Sequence, residues 1–343
     1  MKTQSLASLS CPRCCGHLTT DRTDVPPVSD DDGRELREGL LCCEQCGELY
    51  PVICGVALLL PDVNSWLRSN YYYVVEAIFS SGGMGERMAA HLDRQGWRMS
   101  AAPADNYYEL PRWIEIFLST HYDPVPAGSD DSSELGSLLA RQPTVFDVVA
   151  DSLLRQLENG GDKPKALDVG ANVGGMSYRL AGMAESVIAI DTAFNPILAA
   201  RRIQLGAPLP RKTIRRYVDG LRFEEVALGA FPDNVEFIVA SVFDLPVDGS
   251  FGVITALNVI DVVPDPEKFV DLLIERLDPG GLLVLTSPYS WGSDDVPVDN
   301  WLGNNELSSS EALKTLLTSK GLGIEEDLDF VPWVLREHQR WYR

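Results

Sequence analysis

Seven cysteines occupy the first 54 of 343 residues, and none follows. Two pairs have the spacing of metal knuckles, Cys11-Pro-Arg-Cys14 and Cys43-Glu-Gln-Cys46-Gly47. Each knuckle presents two thiolates from one tight turn, and two knuckles make a tetrahedral four-sulfur site suited to structural Zn2+. Such a closed site keeps no open position for catalysis. Cys15 and Cys42 adjoin the pairs and leave the register open; Cys43 with Cys46 makes the better knuckle because Gly47 follows its turn. Cys54 lies in an apolar run and is read as core. Clustering this tight argues against a scattered disulfide framework. With no apolar signal segment at the start, it predicts a cytoplasmic protein.

The second chemically capable group is Asp168-Val-Gly170-Ala171-Asn172-Val-Gly174-Gly175, between a short apolar run and a helix-like stretch. Glycines there allow a sharp turn and close approach of a ligand to the main chain. Asp191, followed by Thr192, ends the next apolar run about 20 residues on, where an acid reaches a ribose diol. The dinucleotide fingerprint needs a middle glycine for the pyrophosphate and fails at Asn172. The pattern Asp-x-Gly-x-x-x-Gly instead resembles class I methyltransferases, whose ligand, S-adenosyl-L-methionine, has an amino-acid tail and no pyrophosphate. The resemblance implies Asp168 near the ammonium and free amides of Gly170, Ala171, Asn172 and Gly174 near the carboxylate.

A third apolar run ends in Ser241-Val242-Phe243-Asp244. Methyltransferases usually have an acid at the place of Ser241 to bond the adenine amino group; here Val242 and Phe243 remain as adenine walls. The fourth run ends in Asn258-Val-Ile-Asp261, where the transferred methyl should lie. Asn258 and Asp261 either face cofactor and substrate or cap the loop before Pro264-Asp-Pro266.

The elements needed to place these residues follow from the pattern. Ala166–Val169, Ser186–Ile190, Val235–Ala240, Phe251–Leu257 and Gly281–Thr286 read as buried strands, with helices over Gly175–Met183, Asn195–Leu205 and Glu267–Leu277. This alternation predicts an α/β, Rossmann-like fold with a mostly parallel sheet over 161–343. A small zinc-ribbon domain over 1–62 and a helical linker or lid over 63–160 precede it. In the last, Tyr71–Phe79, Arg87–Trp97, Trp113–Leu118 and Pro143–Leu154 read as helical, and 124–133 as a loop.

Twenty-nine Lys and Arg face 50 Asp and Glu, a formal charge of −21. Nucleic acid demands cations to replace phosphate counterions, so no nucleic-acid partner is expected. The one dense basic patch, Arg211, Lys212, Arg215 and Arg216, reads as a solvated helix face. No apolar stretch suffices for a membrane span.

Two further resemblances refine the expectation. Cys11-Pro-Arg-Cys14-Cys-Gly-His-Leu18, Leu41-Cys-Cys-Glu-Gln-Cys46-Gly-Glu-Leu-Tyr-Pro51 and Gly55-Val-Ala-Leu-Leu-Leu60 resemble the short zinc-ribbon activators of tRNA and release-factor methyltransferases. Fused in one chain, such a ribbon implies an in-built stabiliser or substrate wall. From about Tyr107 onward the chain resembles the C-terminal methyltransferase domain of ovothiol-biosynthesis enzymes. The matching pieces are Asn258-Val-Ile-Asp261, Leu285-Thr-Ser-Pro-Tyr289-Ser-Trp291, Trp301-Leu-Gly303, Val331-Pro-Trp-Val-Leu-Arg336-Glu337-His338-Gln-Arg340 and, less closely, Phe117-Leu-Ser-Thr-His121-Tyr122. That family implies methylation of a ring nitrogen of a thiolated histidine. Tyr289, Asp261 and Glu337 become candidates to orient the ring, and Tyr289, Trp291 and Arg336 candidates to bind substrate. Packing over the cofactor site is the other reading of Tyr289 and Trp291, and a salt bridge on a last strand that of Arg336 and Glu337. The chain ends at Trp341-Tyr-Arg343 where the family continues into that strand, and no sulfoxide-synthase domain accompanies it. The expected substrate is a small molecule or peptide carrying an imidazole. The alternatives are an O- or N-methyltransferase of another natural-product intermediate, and a non-catalytic zinc-ribbon scaffold.

Overall fold

The computed structural model describes residues 1–20, 24–98, 106–122, 143–157, 161–205, 213–219, 222–331 and 333. The cysteine-rich segment carries β1 (Leu18–Thr19), β2 (Val28–Ser29), β3 (Leu36–Cys43), β4 (Leu49–Ile53) and β5 (Val56–Leu59). Helices α1 (Val63–Ser69), α2 (Tyr71–Ser80), α3 (Glu86–Arg94), α4 (Pro111–Tyr122) and α5 (Val145–Leu157) follow. Strand and helix then alternate: β6 (Lys165–Val169), α6 (Gly175–Met183), β7 (Ser186–Asp191), α7 (Phe194–Leu205). After a hairpin of β8 (Thr213–Asp219) and β9 (Arg222–Ala227) come β10 (Val235–Ala240), β11 (Phe251–Leu257), α8 (Pro266–Glu275), β12 (Leu277–Thr286) and α9 (Ser309–Ser319).

Ten strands form one sheet in the order β1-β3-β4-β5-β10-β7-β6-β11-β12, with β2 on β3. From β5 to β12 every neighbouring pair is parallel; the pairs from β1 to β5 are antiparallel. The strands β6, β7, β10 and β11 are buried along nearly their whole length. Helices cover both faces of such strands, which is why they read as continuous apolar runs instead of alternating ones.

The cysteine-rich strands are not a separate sheet. Ala57, Leu58 and Leu59 pair in parallel with Ile238, Val239 and Ala240. A second seam lies beside it, where Ser10 N–H donates to Pro246 O at 2.9 Å and Asp248 N–H to Ser8 O at 3.2 Å. One apolar core runs from Leu9 and Tyr50 through Phe237 to Leu313.

The structure differs from the sequence reading at two places. Arg215 and Arg216 lie on strand β8, opposite Glu225 and Glu224 of β9, and not on a helix face. Arg211 and Lys212 lie outside the described residues, as does 124–133. Helix α9 was unanticipated, although Ser308 and Glu311 form a full capping box at its start. Among the described residues no helix is long and apolar enough to cross a membrane.

Candidate cofactor and substrate site

The chain winds from β6 outward to β7 and β10, then returns to β11 and β12 on the other side of β6. Ligands of open α/β sheets sit at such a reversal, beyond the carboxyl ends of the strands. Three non-glycine residues with left-handed backbone cluster there, Asn172 (φ 49°), Asn258 (φ 56°) and Tyr289 (φ 51°), after β6, β11 and β12. Strained positions of this kind persist where surrounding structure enforces them.

The turn after β6 passes through Gly170 (φ 71°), Asn172 and Gly174 (φ 86°) before α6 begins at Gly175. A Cβ on Gly170 would lie 2.4 Å from Val259 Cγ2, and one on Gly174 2.9 Å from the Phe237 ring. Close approach as well as backbone sign demands glycine at both. The loop's amides are largely committed within the protein. Gly170 and Ala171 donate to Ile190 O, Gly174 to Ala171 O, Asn172 to Asp191 Oδ2 and Gly175 to His121 Nδ1. The expected supply of free amides for a carboxylate is therefore not there.

Asp168 is 2% exposed. Ser177 Oγ donates to its Oδ2 at 2.6 Å and Thr255 Oγ1 to its Oδ1 at 2.7 Å. Burial pushes this carboxyl up to about 6, against the pull of the two hydroxyls. It ties β6 to β11 and to the first turn of α6.

Asp191 accepts from Asn172 N–H and Ala193 N–H, each at 2.9 Å. Burial raises its pKa while these amides lower it. Each carboxylate oxygen keeps a lone pair beyond the one used. Thr192 beside it is exposed. Asn172 Oδ1 is a buried acceptor left unpaired in the turn after β6.

After β10, Ser241 Oγ accepts from Phe243 N–H at 3.1 Å and starts a short 3-10 turn, Val242–Asp244. Val242 is buried, and the Phe243 ring is half-buried with Lys268 Nζ 5.7 Å from its centroid. Asn258 Oδ1 accepts from Thr286 Oγ1 at 2.9 Å, and Asp261 Oδ2 from Ser290 N–H at 2.7 Å. Both residues therefore hold the turn after β12; Asp265, not they, caps α8. That turn carries Tyr289 and Trp291, with ring centroids 6.5 Å apart. Burial raises the Tyr289 pKa. Trp291 stacks on Trp301 at 6.4 Å and donates to Ser309 Oγ at 3.0 Å. Arg336 and Glu337 lie outside the described residues.

Sequence reasoning passed over Glu109 and gave His121 little weight. Glu109, 0% exposed, accepts from Phe194 N–H at 2.6 Å and Asn195 N–H at 2.8 Å, the first amides of α7. Burial pushes it up to about 7 despite those donors. Tyr107 and Tyr108 precede it, centroids 4.0 Å apart. The Asp-free, apolar run of α4 signalled only a helix, and nothing local marks a residue that caps another helix.

The Sγ atoms of Cys11, Cys14, Cys43 and Cys46 lie within 4.8 Å of one another, with Cys11–Cys46 at 3.7 Å and Cys14–Cys43 at 3.5 Å. Four sulfurs about 2.3 Å from one zinc ion stand roughly 3.8 Å apart, so the set fits that ion. Cys15 is exposed and Cys42 buried, and neither joins the cluster. Cys54 sits in the β4–β5 turn with φ 53° and is partly buried, so it is not a full core residue.

Strand order and glycine turn are those of a Rossmann-like domain of the S-adenosylmethionine-dependent methyltransferase class. A model of the methyltransferase-domain family matches residues 141–326, just over half of the chain, and the protein belongs to that family. It is 26% identical over 136 residues to the ubiquinone biosynthesis O-methyltransferase of Pasteurella multocida, covering 40% of this chain and 51% of that one. The chain thus spans about half the length of this relative. Among solved structures, it is similar to an S-adenosylmethionine-bound amino-pentose methyltransferase from Micromonospora echinaspora (TM-score 0.32, 18% identity, 45% of this chain and 55% of that one). The N-methyltransferase NodS of Bradyrhizobium japonicum gives a TM-score of 0.28 at 19% identity, over 45% and 67% of the two chains.

Proposed function

We propose that the protein methylates a ring nitrogen of a small histidine-like substrate, with S-adenosyl-L-methionine as donor and a structural zinc ion in the Cys11, Cys14, Cys43 and Cys46 knuckles. The observation that carries the site assignment is the bond from Asn172 N–H to Asp191 Oδ2 at the reversal of the sheet, beside the unpaired Asn172 Oδ1. The substrate class rests on the resemblance of the Tyr289–Trp291 and Arg336–Glu337 segments to the ovothiol-pathway methyltransferases.

The bound donor supplies an electrophilic methyl carbon on sulfonium. A neutral imidazole nitrogen needs alignment more than a strong base. Attack by that nitrogen would break the carbon–sulfur bond, its electron pair going to sulfur, and the other ring nitrogen would lose its proton to solvent. With the donor bound, Asp191 would take the ribose hydroxyls, Asn172 Oδ1 would accept from its ammonium, and Val242 and Phe243 would flank adenine. Tyr289 bonds the second ring nitrogen and fixes the ring. Asp261 holds that tyrosine's loop through Ser290 N–H. Arg336 clamps the substrate carboxylate by a two-pronged hydrogen bond, with Glu337 beside it.

Calorimetry with S-adenosylhomocysteine, then with histidine, thiolated histidine and short histidine peptides added, tests this. Cofactor binding enhanced by one imidazole supports the reading. Cofactor binding indifferent to imidazoles but enhanced by a phenol moves the acceptor to oxygen, and no cofactor binding overturns the whole.

A further inference from the structure

The segment Tyr107–Tyr122 lies before the residues matched by the family model, yet it reaches the start of both helices that flank the crevice. Glu109 accepts the first amides of α7, as described above. At its other end His121 Nδ1 accepts the Gly175 N–H, the first amide of α6, at 3.1 Å. The next residue, Tyr122, donates its hydroxyl to Val173 O at 2.5 Å. Helix starts leave such amides without partners, and here both sets are met by one segment.

We propose that His121 is a positioning residue for the cofactor loop, and that Tyr107–Tyr122 acts as a clasp fixing the spacing of the α6 and α7 starts around the donor. The inference rests on the reading of this crevice as the S-adenosylmethionine site.

The geometry around His121 is built for the contact. A Cβ on Gly175 would fall 2.5 Å from Nδ1, so position 175 is glycine because the imidazole docks there. The ring is 6% exposed and packs on Phe146 (4.4 Å between centroids), Phe117 (6.5 Å) and Trp333 (6.1 Å). Burial, reinforced by nearby Arg179, holds its pKa down at about 3. The ring stays neutral, with its proton on Nε2 and its Nδ1 lone pair free to accept. Trp333 comes from the C-terminal segment and His121 from ahead of β6, so residues from both sides of the β6–β12 run meet at the glycine turn. Every loop amide given away to the protein removes a degree of freedom that donor binding would otherwise have to freeze.

Paired variants separate positioning from packing. In His121→Asn the side-chain oxygen can occupy the place of Nδ1; in His121→Gln it reaches that of Nε2. Both leave a gap in the aromatic cluster. The readouts are the dissociation constant for S-adenosylhomocysteine and hydrogen exchange of the 170–176 amides without ligand. The expected result is near-normal affinity and protection in the Asn variant, and affinity about tenfold weaker with fast Gly175 exchange in the Gln variant. Equal behaviour of the two variants in both readouts overturns the clasp. If the wild type binds no S-adenosylhomocysteine, the cofactor reading falls and the clasp's purpose with it, whereas normal wild-type binding with equal variants sinks the clasp alone.

Discussion

Thr255 Oγ1 donates to Asp168 Oδ1 at 2.7 Å, joining β6 to β11 across the gap where the winding of the sheet reverses. The acid that opens the glycine motif is thereby a strut between strands. Thr255→Val removes one donor to a buried carboxylate and should cost about 1–3 kcal/mol near neutral pH. The lost bond stabilised the ionised form, so the deficit in urea unfolding should be larger at about pH 7.5 than at about pH 5, below the folded value near 6. An equal deficit at both would refute the assignment.

Glu109 has a folded pKa near 7, above the ordinary 4.5. Folding therefore favours its protonated form. That contribution is complete below about pH 4.5 and is lost as pH rises through about 7. Relative to Glu109→Gln, the wild type should lose on the order of 3 kcal/mol across this interval. Parallel stability curves for the two proteins would show that the carboxyl is not held in this environment.

Asn172→Gly keeps the left-handed backbone and relieves its strain, while deleting the unpaired Oδ1. Thermal stability should hold or rise. Affinity for S-adenosylhomocysteine should fall by about tenfold, the equivalent of one polar contact. Unaltered affinity would remove Asn172 from the cofactor site.

The wild type should carry one zinc ion per chain, measured by plasma mass spectrometry, and Cys46→Ser should lose it. Cys15→Ser, at the exposed residue outside the cluster, should not. Retention of metal in the Cys46 variant would disprove the ligand set. Chelation should also lower the melting temperature of the catalytic half, because Ser10 N–H and Asp248 N–H join the knuckle to the chain after the Val242–Phe243 turn.

With an imidazole acceptor, the rate should climb through the ring's pKa, near 6.5, and level off above about pH 7. A rate that falls between about pH 6.5 and 8.5 would exclude an imidazole nucleophile.

The helix Gly175–Met183 and the strands Val235–Ala240 and Phe251–Leu257 were legible to the residue, because buried parallel strands and glycine turns write themselves as local composition. The knuckle register was legible for the same reason: ligand spacing is local. What stayed hidden depends on partners distant in the chain. Nothing in the Asp168 segment itself marks the bonds that Thr255 and Ser177 make to its two oxygens. His121 and Glu109 act on partners far along the chain, Gly175 and the start of α7, which no local pattern marks. The hairpin β8–β9 was missed for another reason: Arg215 and Arg216 carry no apolar alternation, and their partners Glu225 and Glu224 lie on the other strand.

The parallel pairing of β5 with β10 joins Ala57 to Ile238, more than half the chain away. During synthesis the cysteine-rich segment leaves the ribosome long before its neighbour in the sheet exists. Val56–Leu59, wholly apolar, would meanwhile present an unpaired edge open to other chains. The four thiolates close over local loops and need nothing from the distant half. A metal bound there would tie the first strands together before β10 is made.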